Sequence, residues 1–185
     1  MAVDFATFSD FRRFTNELTI NEQATIKRAS ASRTASVRKN TFLSHSSKDA
    51  EFLPGVIKLL QDHGATVYCD LDDERMPENP DRETANIIKQ QIKSSTRLVI
   101  FVTLNSKDSK WVPWELGIGD TVLNPENVAL LPTVATSGEQ AWARQEYLGL
   151  YRHIVYGDLK GEPNKVWMVY DFIKHNATKL SEWCQ

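Results

Sequence analysis

Trp111 and Glu115 are four residues apart in Ser109-Lys-Trp-Val-Pro-Trp-Glu-Leu-Gly117, so on a helix they share one face. A carboxylate beside an aromatic wall can stabilise positive charge developing on a bound substrate. The same spacing also suits a plainer role: an acid near a helix start, favoured by the helix dipole, with Trp111 and Trp114 as packing groups. Pro113 is tolerated there because first-turn amides lack intrahelical partners. A second group is Phe42-Leu-Ser-His-Ser-Ser-Lys-Asp49. Its hydroxyls, its lysine and the amides of a following helix start would cradle a phosphate. Ser46 and Asp49 equally read as an S-x-x-D helix cap. A third group, Asp70, Asp72 and Asp73, reads as a solvated acidic loop rather than a divalent-cation cluster.

Other chemistries lack their signatures. Neither G-x-G-x-x-G nor a Walker A sequence is present, so the usual dinucleotide and nucleoside triphosphate motifs are absent. His45, His63, His153 and His175 show no metal-ligand spacing, and no metal or cofactor is expected. Cys69 and Cys184 form no C-x-x-C pair and read as free thiols of a reducing cytoplasm. The 185 residues carry 22 Lys+Arg against 24 Asp+Glu, and that near balance argues against nucleic acid or a membrane as the partner of the whole chain. No apolar run approaches the roughly 18 residues that span a bilayer, and charges interrupt the N-terminal phenylalanines, so no secretory signal is expected.

These groups must be positioned by alternating strands and helices. Strands are expected at 41–44, 65–69, 97–103, 127–134 and 153–156. Helices are expected at 49–63, 83–94, from 111–113 to 124–125, near 139–148 and at 165–179. Pro54 would kink the first of these helices or delay its start, and Gly64 suits its end. The run 97–103 is continuously apolar, as in a strand buried on both faces. The pattern predicts an α/β fold, a flavodoxin-like three-layer sandwich around a five-stranded parallel sheet. Ligands of such sheets bind beyond the C-terminal strand ends. The loops there are Ser44–Asp49, Asp70–Arg82 and Leu104–Pro113, and the three groups that open this section lie in or beside them. A receiver-type phosphoacceptor would need an aspartate ending the third strand, and Val102-Thr103-Leu104 supplies none.

Residues 1–38 read as an N-terminal helical extension with a basic linker, and 39–185 as the main domain. Phe8, Phe11, Phe14 and Leu18 share a helical face, with Ser9-Asp10 as a local cap. That face predicts a helix docked on the main domain or used for self-association. The stretch Lys27–Lys39 has few large apolar residues and reads as solvated. Residues 1–39 hold seven Lys/Arg and four Asp/Glu, a net +3 that leaves −5 for the rest.

Taken in order, three pieces resemble a TIR (Toll/interleukin-1 receptor) domain over residues 40–175. They are Asn40–Asp49, Asp70-Leu-Asp-Asp-Glu-Arg-Met-Pro77 and Ser109–Gly117, similar to the family's opening strand and loop, its second-strand assembly loop and its W-x-x-x-E helix start. The second loop departs from the family's glycine-containing pattern and is unusually acidic. The resemblance implies one of two functions. One is NAD+ cleavage at the nicotinamide–ribose bond, yielding nicotinamide and ADP-ribose or a cyclic isomer that acts as a messenger in antiphage defence of the Thoeris kind. The alternative is a non-catalytic TIR–TIR interaction module. For the enzyme it implies Glu115 as the catalytic residue. Phe42, Ser44, His45, Ser46, Lys48, Asp70 and Trp111 would bind substrate. It further implies no cofactor beyond the substrate NAD+, self-association through Leu71–Arg82 or the N-terminal helix, and a downstream effector reached through the product.

Overall fold

The computed structural model describes residues 3–31, 40–72, 82–136 and 146–185. In chain order these form β1 (Val3–Asp4), β2 (Ala6–Thr7), α1 (Phe8–Asn16), α2 (Ile20–Ala31), β3 (Thr41–Ser44), α3 (Leu53–Asp62), β4 (Val67–Tyr68), α4 (Arg82–Ser94) and β5 (Arg97–Val102). Then follow α5 (Leu104–Lys107), α6 (Trp111–Val122), β6 (Val128–Val134), β7 (Arg152–Gly157), β8 (Val166–Asp171), β9 (Asn176–Lys179) and α7 (Leu180–Trp183).

The sheet runs β4-β3-β5-β6-β7-β8-β9. Its first five strands are mutually parallel, in registers such as Phe42 opposite Tyr68 and Leu98, and Leu98 opposite Val128. Strand β5 shows why the sequence reads as buried on both faces. Val99 and Phe101 enter a core with Phe11, Leu53, Val56 and Leu60, while Leu98, Ile100 and Val102 enter another with Ile88, Ile92, Val112 and Leu116. Successive side chains point to opposite faces, so one strand serves both layers. The α/β sandwich with a parallel central sheet is therefore as expected, with antiparallel strands added to it.

Four local expectations are corrected. The helix expected at 165–179 is the antiparallel pair β8–β9, with Ile154 opposite Val169 and Val169 opposite Thr178. Val166, Val169 and Tyr170 are β-favouring residues, and a turn interrupts the run. There Asp171 Oδ1 accepts from the amides of Ile173 and Lys174, and His175 adopts φ 53°. The helix expected from residue 49 begins at Leu53 with Pro54 in its first turn, where a missing amide costs nothing. The cap of α1 is Thr7, whose hydroxyl and main chain exchange hydrogen bonds with Asp10. Finally, helix α2 takes in part of the stretch read as solvated linker, and its Ser30 and Ala31 are buried.

The N-terminal segment is built into the sheet. Strand β1 pairs antiparallel with the end of β7, and β2 pairs parallel with the end of β6. The chain's start thus bridges two strands where their own ladder has stopped. Helix α1 then lies on α3 at backbone distance: a Cβ on Gly55 would stand 2.4 Å from the Phe11 carbonyl oxygen. Phe11 is fully buried and edge-on to Phe101 at 5.4 Å. The boundary expected near Arg38 and the helix expected near 139–148 fall wholly or largely outside the described residues. Among the described residues no helix is long and apolar enough to cross a membrane.

Candidate active site

A cavity of about 360 Å³ opens beyond the C-terminal ends of β3, β4 and β5. Each wall comes from a different element. The loop after β3 supplies His45, Ser46, Ser47 and Lys48, and the turn after β4 supplies Asp70 and Leu71. Helix α4 gives Thr84 and Ile88, spaced i,i+4. The segment from α5 into α6 gives Asn105, Asp108, Ser109, Trp111 and Glu115. Ser47, Lys48 and Asp108 form an exposed rim, whereas Glu115 is buried at the floor with 4% of its surface exposed.

The floor is set by how closely α6 approaches the sheet. Gly119, one turn beyond Glu115, lies against Leu98, and a Cβ there would come within 2.1 Å of the leucine side chain. Ser109 Oγ accepts from the amides of Trp111 and Val112, fixing the helix start. Trp111 and Trp114 meet edge to face at 5.2 Å, and Lys89 Nζ stands 5.5 Å from the Trp114 ring. Glu115 itself is one turn into α6, so burial rather than the helix end governs its charge.

Burial raises the Glu115 carboxyl to about 7, and Asp70 pushes in the same direction; Ser44 and His45 oppose them. The Ser44 hydroxyl is buried and makes no hydrogen bond of full geometry, yet lies near enough to favour the charged carboxylate. Burial also opposes a charged His45, but Cys69, Asp70 and Glu115 outweigh it and raise the ring to about 10. His45 Nδ1 lies 3.5 Å from Asp70 Oδ1 and 3.7 Å from Cys69 Sγ.

Six of the eight residues expected at the site line this cavity: His45, Ser46, Lys48, Asp70, Trp111 and Glu115. Ser44 lies beneath them. Phe42 does not reach the cavity: it is fully buried, 5.4 Å from the Tyr68 ring in the core below. It points to the same face as Ser44 but one strand repeat deeper. The loop after β3 also differs from a helix-start cradle. It forms a single turn at Ser47–Asp49, capped by Ser46, so its side chains rather than a helix end face the cavity.

Asp49 is not the cap partner that its spacing suggested. It is fully buried and accepts from Thr103 Oγ1 at 2.7 Å and from Asn105 Nδ2 at 2.6 Å, tying the loop after β3 to the loop after β5. Thr84, Ile88 and Asn105 carried no local signal, since only the packing of α4 on α6 and the parallel pairing of β3, β4 and β5 bring them here. That pairing also gathers His45, Cys69 and Asp70, whose ligand-type atoms all lie within 4.8 Å of one another.

The family model of the TIR domain matches residues 41–167. Two bacterial relatives match part of the chain. One, from Bacillus cereus (strain MSX-D12), is provisionally named 3′ cyclic ADP-D-ribose synthase ThsB′. It is 33% identical over 130 residues, which are 69% of this chain and 66% of the relative. The other, from Cytobacillus dafuensis, is provisionally named cyclic ADP-D-ribose synthase TIR2. It is 32% identical over 80 residues, which are 42% of this chain and 21% of the relative. This chain thus spans just under two thirds of the first relative and about a fifth of the second. The family match runs from β3 through β7 to the start of β8 and takes in every element that builds the cavity, and on that ground the chain belongs to the TIR domain family.

Proposed function

We propose that this chain cleaves NAD+ at the nicotinamide–ribose bond and closes the ADP-ribose into a cyclic isomer, with Glu115 as the catalytic residue. One observation carries the reading: a carboxylate buried at the floor of a cleft at the C-terminal edge of a parallel sheet, with its proton affinity raised to about 7. Perturbed carboxylates in clefts are where catalysis is expected. Membership of the TIR family and the names of the two relatives support the choice of substrate and of a cyclic product.

The reaction asks little of the protein. Most glycosidases need an acid to protonate a poor leaving group and a second carboxylate opposite. Nicotinamide leaves NAD+ already neutral, so no acid and no further cofactor is required. The remaining task is to orient the ribose and stabilise positive charge as the bond breaks. An anionic Glu115 in a low-dielectric floor does both. Trp111 supplies a flat wall for a planar ring, and Lys48 at the rim, with the buried Ser46 beside it, suits the phosphates. His45 and Asp70 set the charge around Glu115, and Ser44 supports its anionic form.

A cavity of about 360 Å³ lies near the lower end of the roughly 300–1,000 Å³ usual for ligand clefts. It suits part of a dinucleotide, and a second copy of the chain would complete the enclosure. The loop Leu71–Arg82, expected to mediate this, lies largely outside the described residues. The cyclic product would act as a cytoplasmic signal read by a separate effector.

The test is direct. Purified protein incubated with NAD+ should release nicotinamide and a product with the mass of cyclic ADP-ribose. Glu115→Gln should retain the fold and lose at least roughly 10²–10³-fold of the rate, as when one transition-state stabiliser is removed. Near-native cleavage by the folded variant would remove Glu115 from its role.

A further inference from the structure

Cys69 takes no role in the proposed reaction, yet with His45 and Asp70 it forms a cluster whose geometry has a meaning of its own. Tetrahedral zinc with ordinary bond lengths holds a sulfur and a nitrogen ligand about 3.6 Å apart, and a nitrogen and an oxygen about 3.4 Å apart. Here His45 Nδ1 stands 3.7 Å from Cys69 Sγ and 3.5 Å from Asp70 Oδ1. The three side chains come from the adjacent ends of β3 and β4. Cys69 is buried, the His45 ring is almost enclosed, and Asp70 reaches the cavity. Three protein ligands with the fourth position facing a cleft is the arrangement of an open zinc site, and a thiolate selects against magnesium and calcium.

We propose that His45, Cys69 and Asp70 form a site for a thiophilic divalent cation, Zn2+ above all, and that its occupation blocks the cavity. The cation replaces the protons carried by the Cys69 thiol and His45 Nδ1, which pass to solvent, with no change of oxidation state. Two protons leave as the dication enters, so the cluster keeps its net charge and inhibition comes from occupation: the ion ties up His45 and Asp70, two of the side chains that line the cavity with Glu115, and its open coordination position takes up space there. Metal binding stands on geometry alone, whereas inhibition rests on the NAD+-cleaving reading above.

Co2+ serves as the spectroscopic stand-in for Zn2+. Titrated into the metal-free full-length protein, it should give a thiolate-to-cobalt charge-transfer band that saturates near one equivalent and disappears on adding Zn2+. Cys69→Ser and Cys69→Ala should lose the band and bind Zn2+ at least ten-fold more weakly in competition with a chromophoric chelator. Cys184→Ser, whose thiol lies elsewhere in the core, should keep both. NAD+ cleavage by the wild type should fall with Zn2+ and recover with chelator, and Cys69→Ser should need at least ten-fold more Zn2+ for the same loss. No thiolate band in the wild type, or equal Zn2+ affinity in the folded Cys69 variants, would overturn the site. The wild-type spectrum decides the question even where both substitutions unfold the chain. Tight binding that leaves NAD+ cleavage untouched overturns the inhibitory half. A protein that binds Co2+ through Cys69 but never cleaves NAD+ overturns the catalytic reading and leaves the metal site standing.

Discussion

At Glu115 the proposed catalytic role pulls against stability. Its carboxyl is raised from 4.5 to about 7 by burial and by Asp70, so the folded state holds this proton more tightly than the unfolded chain does. The resulting stability is fully present below about pH 4.5 and is lost as pH rises through about 7. At pH 8 the ionised carboxylate destabilises the fold by about 3 kcal/mol, a net figure in which the opposing pull of Ser44 and His45 is already included. The uncharged Glu115→Gln should therefore melt at a higher temperature than wild type at pH 8, with the gap closing as pH approaches 4.5. Thermal melts of both proteins across that range check this, and identical profiles would show that Glu115 is better solvated than its burial indicates. Catalysis follows the opposite slope: NAD+ cleavage should fall on acidification through about pH 7 as the anion is lost, which a rate–pH profile reads directly.

At the scale of elements, the N-terminal segment departs furthest from its sequence reading. The phenylalanine spacing correctly marks an apolar helical face, but nothing local reveals that Phe11 lies under Phe101 or that Gly55 lets α1 touch α3. Emptying that contact should cost what a buried aromatic costs elsewhere. Phe11→Ala is expected to lose about 3–5 kcal/mol in urea denaturation. A loss below about 1 kcal/mol would mean that α1 is only loosely docked. The five parallel strands and the Trp111–Glu115 pair were legible because each has a short-range signal, a period of two or of 3.6 residues. The β8–β9 pair was not, since Val166, Val169, Tyr170, Phe172 and Ile173 satisfy a helical period while their partners, Arg152–Gly157 and Asn176–Lys179, are distant or polar. The cavity's Thr84 and Asn105 were hidden for a related reason: the packing of α4 on α6 and the pairing of distant strands, rather than spacing along one element, bring them to the cavity that holds Glu115.

For the whole molecule, the question is whether one chain suffices. The cleft has a buried floor and an exposed rim, and water at the rim weakens the field of Glu115. Seven Asp/Glu between Asp70 and Glu83 make the second loop strongly acidic, against an excess of three positive charges in residues 1–39. Copies should therefore meet through opposite charges. The rate of NAD+ cleavage per molecule should rise with protein concentration and fall with added salt, which screens such contacts over about 10 Å at 0.1 M. Initial rates across a wide concentration range at two ionic strengths check this. A flat specific rate at both would show a competent monomer.

The Asp49 tether has a consequence for how such proteins diversify. Its buried carboxyl takes hydrogen bonds from Thr103 and Asn105, so two loops more than fifty residues apart in sequence are joined as one part. A chimera receiving only one of them from a relative with a different polar pair would strand a buried acceptor, at roughly 1–3 kcal/mol. Recombination that changes substrate preference should thus succeed when both loops travel together, and grafting either loop alone should give misfolded protein rather than altered specificity.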